Sequence, residues 1–192
     1  MITTEEIKKL RDQTGVSVMQ CKKALEEADG NFEKAIVILR KKSSDIASKK
    51  GDRALGAGVV ASYLHATGTI GAMVVLSSET DFVSKNDEFK KLAYDIAMHV
   101  AATNPEYLSV QDITPEAKQI AKDVFAEEVK GKPEEMKEKI LEGKLSSYFS
   151  DKVLIEQPYI KNPDITVGGL VEEAVQKFGE RIEISKYVRL SV

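Results

Sequence analysis

The sequence predicts an α+β fold, with a small helical bundle at the N-terminus followed by a core of about three antiparallel strands packed with helices. Three observations support this prediction. The first fifty residues contain three short amphipathic segments with helix-capping residues. Two apolar segments flank a turn at residues 66–68, as in a β-hairpin. Residues 182–190 alternate between apolar and polar side chains, as in a half-buried strand that can extend the hairpin into a sheet.

The N-terminal region is predicted to contain three short helices. Thr3 with Glu6 and Ser17 with Gln20 match capping boxes at the starts of the first two, and Asn31 can cap the third. The second helix is expected to bury one face, formed by Val18, Cys21, Leu25 and Ala28. Helices of this length are not stable alone, so the three are expected to pack around a minimal core.

The composition changes after the third helix. Residues 40–58 are rich in Lys, Ser, Ala and Gly, which predicts a basic linker that is either a helical extension or loose chain. We place a domain boundary near Arg53, between a helical N-terminal domain with its linker (1–53) and an α+β core (54–192). The charge follows this division, because residues 1–53 carry 12 Lys and Arg against 9 Asp and Glu, whereas the remainder carries 16 against 22.

Several helices and a final strand are predicted in the core after the hairpin. A helix with a continuous apolar stripe covers residues 89–100 and ends before Asn104. Further helices begin at Pro115 and Pro133, and Thr166 caps the last one. In the closing strand, the alternation predicts one apolar face formed by Ile182, Ile184, Val188 and Leu190.

Composition and motifs exclude several classes of function. The single cysteine, Cys21, permits neither an internal disulfide nor a cysteine metal cluster. No catalytic constellation and no nucleotide-binding or metal-binding fingerprint is present, so we expect neither an enzyme nor a cofactor. The net charge of -3 argues against direct nucleic-acid binding. No apolar run approaches the roughly 20 residues that cross a membrane, and we expect a cytoplasmic protein.

Two sequence features suggest a partner-binding surface. Met19 is predicted to lie opposite the buried face of its helix, next to Lys22, where it can dock on an apolar and acidic surface. Phe82 lies between Asp81 and Val83 on a strand-to-helix connection, where an aromatic side chain can be presented outward as an anchor. In the competing interpretation, Met19 has no role, Phe82 turns inward to close the edge of the sheet and Asp81 caps the next helix.

Several sequence strings, spread over essentially the whole chain, resemble those of the bacterial elongation factor Ts family. They are Leu10-Arg11-x-x-Thr14-Gly15, Met19-x-Cys21-Lys22-Lys23-Ala24-Leu25, Asp29-Gly30-Asn31, Leu39-Arg40-Lys41-Lys42, Glu79-Thr80-Asp81-Phe82-Val83 and Glu156-Gln157-Pro158-Tyr159. The chain resembles the compact form of the family, with a single core subdomain. The resemblance implies an N-terminal bundle similar to a ubiquitin-associated domain. It also implies a guanine nucleotide exchange factor for elongation factor Tu, in both its GDP-bound and nucleotide-free forms.

The resemblance also implies roles for particular residues. Four consecutive residues are expected to approach the nucleotide site of elongation factor Tu and disturb its bound Mg²⁺: Thr80, Asp81, Phe82 and Val83. The candidates for docking on its G domain are Arg11, Val18, Met19 and Lys22. A homodimer is a further possible partner, since it could replace the second core subdomain of longer members. The alternative function is a ubiquitin-associated-like interaction module without exchange activity, for which Phe82 is dispensable.

Overall fold

The computed structural model describes residues 2–129 and 133–192. Its N-terminal helices are α1 (Thr4–Thr14), α2 (Val18–Glu27) and α3 (Phe32–Lys50). The core follows in the order β1 (Ala57–Leu64), β2 (Ile70–Ser78), α4 (Asp81–Ser84), α5 (Asp87–Thr103), a short 3-10 helix (Val110–Asp112), α6 (Pro115–Val129), α7 (Glu134–Ser150), β3 (Pro158–Tyr159), β4 (Asn162–Thr166), α8 (Val167–Phe178) and β5 (Ile182–Ser191). The predicted α+β fold class is confirmed.

The first three helices form a bundle, in which α1 and α3 begin at the predicted caps. The Thr3 hydroxyl accepts a hydrogen bond from the Glu6 N–H at 3.2 Å, and the Glu6 carboxylate accepts one from the Thr3 N–H at 2.7 Å. Asn31 caps α3 by accepting from the N–H of Lys34 at 2.9 Å. The apolar core of the bundle consists of Leu10, Val16, Cys21, Ala24, Leu25, Ala28, Ala35 and Leu39.

At the start of α2, the buried side chain is not the predicted one. Val18 is 51% exposed, whereas Val16, which precedes the helix, is buried in the bundle. Ser17 begins the helix by accepting a hydrogen bond from the Gln20 N–H at 3.4 Å, but the Gln20 side chain does not return a bond to the Ser17 N–H. The chain therefore enters α2 from the core side, so the residue before the cap is buried and the residue after it faces solvent.

The basic segment after residue 40 is helical, because α3 continues to Lys50. Its second half packs against α8 of the core. Ser43 is buried in this contact and bonds both the carbonyl of Leu39 at 3.0 Å and the side chain of Gln176. Ser44 donates to Glu172 at 3.2 Å. A single helix thus joins the N-terminal bundle to the core.

The main sheet has the order β1-β2-β5, with antiparallel neighbours. Helices α5 and α8 cover one face of this sheet. The buried residues between sheet and helices are Ala72, Val74, Leu76, Val83, Phe89, Ala93, Ile96, Ala97, Val100, Ala101, Leu154, Val167, Ala174, Val175, Ile182 and Ile184.

A β-bulge changes the faces of β5. Leu76 of β2 pairs with Ile184, but the preceding residue, Val75, pairs with Lys186, so Ser185 is an extra residue in β5. One inserted residue exchanges the two faces of a strand beyond it. The prediction that four alternating apolar residues share one face is therefore wrong. The two residues before the bulge, Ile182 and Ile184, are buried, whereas Val188 and Leu190 are exposed.

Two apolar regions of the core face solvent. The uncovered face of the sheet carries Val60, Leu64, Met73, Val188 and Leu190. On α6, Ile120 and Val124 are also exposed.

Candidate partner-binding surface

The turn between β2 and α5 presents Phe82 to solvent. Residues 81–84 form the one-turn helix α4, on which consecutive side chains point about 100° apart. Val83 faces the core and is 2% exposed, whereas Phe82 is 84% exposed. The competing interpretation, in which Phe82 closes the edge of the sheet, is therefore wrong.

Asp81 presents a charged carboxylate beside the aromatic ring. Its Oδ2 lies 2.5 Å from Nζ of Lys85, one turn later, and both side chains are exposed. The hydrogen bond from Lys85 lowers the pKa of Asp81, so the carboxylate is ionised at neutral pH. Asp81 does not cap the following helix. Asn86 does so, by accepting a hydrogen bond from the N–H of Glu88 at 2.8 Å.

Thr80 is the N-cap residue of α4, but its side chain makes no capping hydrogen bond. Its hydroxyl donates instead to the carboxylate of Glu180 at 2.5 Å, and its N–H donates to the same carboxylate at 3.0 Å. Glu180 lies between α8 and β5, 100 residues further along the chain. This contact could not be predicted from the sequence, because no local pattern around residue 180 indicates its partner.

The N-terminal candidates lie close together in sequence on α1 and α2. Met19 is 67% exposed, and Val18 beside it is also exposed. Nζ of Lys22 lies 3.8 Å from Glu26 in an exposed ion pair, and Arg11 is exposed in the last turn of α1. The exposure of Met19 agrees with the prediction, and its role in docking stays a prediction.

The loop before α2 lies against the core helix α8 at Lys177. Gly15 has a left-handed backbone (φ 68°), and a Cβ at this position would lie 3.1 Å from Nζ of Lys177 on α8. The same Nζ lies 2.7 Å from the carboxylate of Glu88, in the first turn of α5. One side chain of α8 therefore contacts both the loop between α1 and α2 and the helix that follows α4.

The cysteine and one histidine, which could in principle react, are both buried. Cys21 is buried, and burial raises the pKa of its thiol. His99 is also buried, where Nε2 lies 2.9 Å from the Gln157 side-chain oxygen and Nδ1 accepts a hydrogen bond from the Ile160 N–H at 3.3 Å. Across residues 2–129 and 133–192, no group of three or more His, Cys, Asp or Glu is placed to hold a metal ion. No helix in these ranges has the length and apolar character needed to cross a membrane.

The surface therefore presents two exposed apolar side chains, Met19 and Phe82, on short helices, an arrangement typical of proteins that bind another protein. The family model described as Elongation factor TS matches residues 8–192 of the chain. The chain belongs to the elongation factor Ts family.

Individual relatives agree with this assignment. Elongation factor Ts of Carboxydothermus hydrogenoformans is 46% identical over 194 residues, which cover 100% of this chain and 89% of that protein. Proteins of the same name from Thermodesulfovibrio yellowstonii and Thermosipho melanesiensis are 45% and 44% identical. The alignments cover 96% and 99% of those two proteins. The resemblance identified from the sequence strings is confirmed.

Proposed function

We propose that this chain releases GDP from elongation factor Tu by inserting Phe82 near the nucleotide site of that partner. Membership of the elongation factor Ts family supports the activity itself, guanine nucleotide exchange during translation elongation. The observation that carries the mechanism is the exposure of the Phe82 ring on a helix anchored by the buried Val83. The chain changes the rate of nucleotide release and forms no covalent bond. Because elongation takes place there, we propose that it acts in the cytoplasm.

Burial of the Phe82 ring on the partner supplies the driving force. A Phe side chain buries about 150–250 Å², worth about 25 cal/mol per Å². For a ring that is 84% exposed, the gross gain on complete burial is therefore roughly 3–5 kcal/mol, part of which is offset by the displacement of partner groups. The ring need not touch the nucleotide. It has only to move groups that hold Mg²⁺, because this cation requires near-ideal octahedral geometry.

Asp81 stabilises the displaced arrangement in this proposal. Its ionised carboxylate can accept hydrogen bonds from the displaced segment of the partner, in place of the exposed bond from Lys85. Thr80 and Val83, on either side, hold Asp81 and Phe82 in position. Linkage sets the size of the effect: the factor by which this chain prefers nucleotide-free elongation factor Tu equals the factor by which it weakens GDP binding.

The N-terminal bundle is the proposed docking module. In this scheme residues 1–53 contact the G domain, and residues 54–192 form the core that carries Phe82. The docking residues are Arg11, Val18, Met19 and Lys22. An exposed apolar pair bordered by cations fits a partner surface that is apolar and acidic, and the charges favour rapid association.

Release of a fluorescent GDP analogue from purified elongation factor Tu tests the proposal. At fixed Mg²⁺, catalytic amounts of this chain should accelerate release strongly, and the acceleration should shrink when a chelator removes Mg²⁺ beforehand. Phe82→Ala should lose most of the effect. Ile120→Ala, which truncates another exposed apolar residue, on α6, is the matched control and should keep it.

The competing function, a ubiquitin-associated-like module without exchange activity, gives a different result. It predicts no acceleration by the parent chain and normal partner binding by Phe82→Ala. It also predicts that Met19→Ala abolishes binding. No acceleration by the folded chain would therefore reject the exchange mechanism.

We also propose that the uncovered sheet face forms a homodimer. The strands of this sheet are antiparallel, and its uncovered face carries five exposed apolar side chains. Apolar faces of this kind pack on a second sheet. Sedimentation of the parent chain should show a dimer, and Leu190→Lys should convert it to a monomer. Val124→Lys, on the exposed face of α6, should remain dimeric. A monomeric parent chain at high concentration would reject this assembly.

A further inference from the structure

Two turns of the core exchange hydrogen bonds next to Phe82. The Glu180 carboxylate accepts one from the Thr80 N–H at 3.0 Å and one from the Thr80 hydroxyl at 2.5 Å. In return, the Glu79 carboxylate accepts one from the Arg181 N–H at 2.5 Å. We call these four residues the cross-turn clamp: Glu79, Thr80, Glu180 and Arg181. Each turn gives the other one carboxylate and one backbone N–H.

The segment that follows α3 closes the clamp on a third side. The Arg53 guanidinium donates to both Glu79 oxygens, at 3.2 and 3.3 Å, and the Arg53 carbonyl accepts from the Arg181 guanidinium at 2.5 Å. Lys50 donates to the carbonyl of Gly179 at 2.6 Å. The hydrogen bond from the Arg181 N–H, helped by Arg53, lowers the pKa of Glu79, so its carboxylate is charged at neutral pH. The clamp therefore joins the end of α3 to the turn that precedes α4.

The helix that carries Phe82 is too short to hold its own orientation. It has four residues, and a single helical turn is unstable because most of its backbone groups lack partners within the helix. Buried Val83 anchors it to the core, and the Ser78 hydroxyl donates a hydrogen bond to the Thr80 carbonyl at 3.0 Å. The clamp adds two hydrogen bonds from Thr80, one from its N–H and one from its hydroxyl. Together with the Ser78 contact and buried Val83, these bonds fix the direction in which Phe82 projects.

We propose that Glu180 is a positioning residue for nucleotide exchange, which holds Thr80 so that Phe82 meets the partner at one fixed angle. The inference rests on the function proposed above for Phe82. Glu180 acts through Thr80 and touches neither GDP nor Mg²⁺. An ordered turn loses little further backbone entropy when it inserts. The clamp should therefore affect the rate at which a docked complex releases GDP more than it affects docking.

Kinetics with Glu180→Ala, Thr80→Val and the double variant test this inference. Measuring GDP-analogue release over a range of factor concentrations separates the maximal rate from the concentration that gives half of it. We expect Glu180→Ala to lower the maximal rate about tenfold and to shift the half-saturating concentration by less than about twofold. The double variant should lose no more than Glu180→Ala, because Glu180→Ala already removes the hydroxyl bond that Thr80→Val removes.

Two further variants serve as rescue and control. Glu180→Gln keeps an acceptor oxygen and should recover part of the maximal rate. Glu128→Ala removes a comparable carboxylate, one that lies 2.5 Å from Lys144 in a surface ion pair between α6 and α7. It should leave the maximal rate unchanged. Thermal unfolding of each variant verifies that it is folded.

A second measurement needs no partner. The chain contains no Trp, so Phe82→Trp introduces a single indole into the turn. Adding Glu180→Ala should lower the fluorescence anisotropy of this indole, because the turn then moves on the nanosecond timescale. Adding Glu128→Ala should not.

The outcomes separate the two proposals. An unchanged maximal rate with Glu180→Ala, equal changes in maximal rate and half-saturating concentration, or an unchanged anisotropy would each overturn the positioning role. If the Phe82→Ala variant accelerates GDP release from elongation factor Tu as strongly as the parent chain does, the proposed function itself is wrong. A loss with Phe82→Ala but not with Glu180→Ala rejects the positioning role alone.

Discussion

Alanine substitutions at Phe82 and at its neighbour Val83 should affect different properties. Phe82→Ala should reduce mainly exchange activity, and Val83→Ala should reduce mainly stability. Val83 is buried in the core near β1 and β2. Deleting two buried methyl groups costs about 1.6 kcal/mol at about 0.8 kcal/mol each, and the cavity adds to this, so Val83→Ala should lower the free energy of unfolding by about 2–3 kcal/mol. Phe82 is mostly exposed, so Phe82→Ala should change that free energy by less than about 0.5 kcal/mol.

Exchange activity should rank the two variants in the opposite order. Burial of the ring on the partner is worth at most roughly 3–5 kcal/mol, and about 1.4 kcal/mol corresponds to a factor of ten in rate. Because displacing partner groups offsets part of this gain, Phe82→Ala should lower the maximal exchange rate at least about tenfold and at most about a thousandfold. Val83→Ala should lose less, at temperatures where it remains folded.

Two assays on the same protein preparations test this prediction. Urea unfolding gives the free energy of unfolding, and release of the GDP analogue at saturating factor gives the maximal exchange rate. Ile120→Ala should resemble the parent chain in both. A Phe82→Ala protein destabilised by more than about 1 kcal/mol would show that the ring supports the fold, and the reasoning from exposure would be refuted. Equal losses of exchange rate and partner affinity would refute the insertion mechanism.

Three further predictions concern docking, pH and the sheet. Met19→Ala should weaken binding to nucleotide-free elongation factor Tu about 5- to 30-fold in calorimetry, with little change in the maximal exchange rate. Burial lowers the pKa of His99 in the folded chain, so the unfolded chain binds more protons between that lowered pKa and about pH 6.5. Stability should therefore fall as the pH drops through this window, by up to about 1.4 kcal/mol per pH unit, and His99→Gln should reduce this slope in urea titrations. Gly58→Ala should cost about 1–3 kcal/mol of unfolding free energy, because the added Cβ would lie 2.7 Å from the carbonyl oxygen of Leu76.

Features that depend on neighbouring residues could be predicted from the sequence. Helix caps are of this kind, because the capping side chain and the N–H that it satisfies lie three residues apart, as with Asn31 and Lys34. The exposure of Met19 also followed from helical periodicity alone. Val18 was assigned wrongly because it lies at the first helical position, where the path of the incoming chain decides which side chain is buried.

Features that depend on distant residues could not be predicted. The bulge in β5 is defined only by its pairing with β2, so alternation within β5 gave Val188 and Leu190 the wrong face. The contact of Thr80 with Glu180 crosses 100 residues and involves side-chain types found throughout the surface. For the candidate site, the local pattern left the orientation of Phe82 open and only the family resemblance implied that it faces outward, whereas the contacts that orient its turn could not be predicted.

The path of α3 decides how docking and insertion are related. A helix of 19 residues is about 28 Å long, and it behaves as one body when both of its halves are packed. The first half lies in the N-terminal bundle, and the second half bonds α8 through buried Ser43 and through Ser44. Just beyond its end, Arg53 reaches the turn before Phe82. In the proposed mechanism, binding energy gained by the bundle therefore fixes the position of the ring, which a loose linker would not allow.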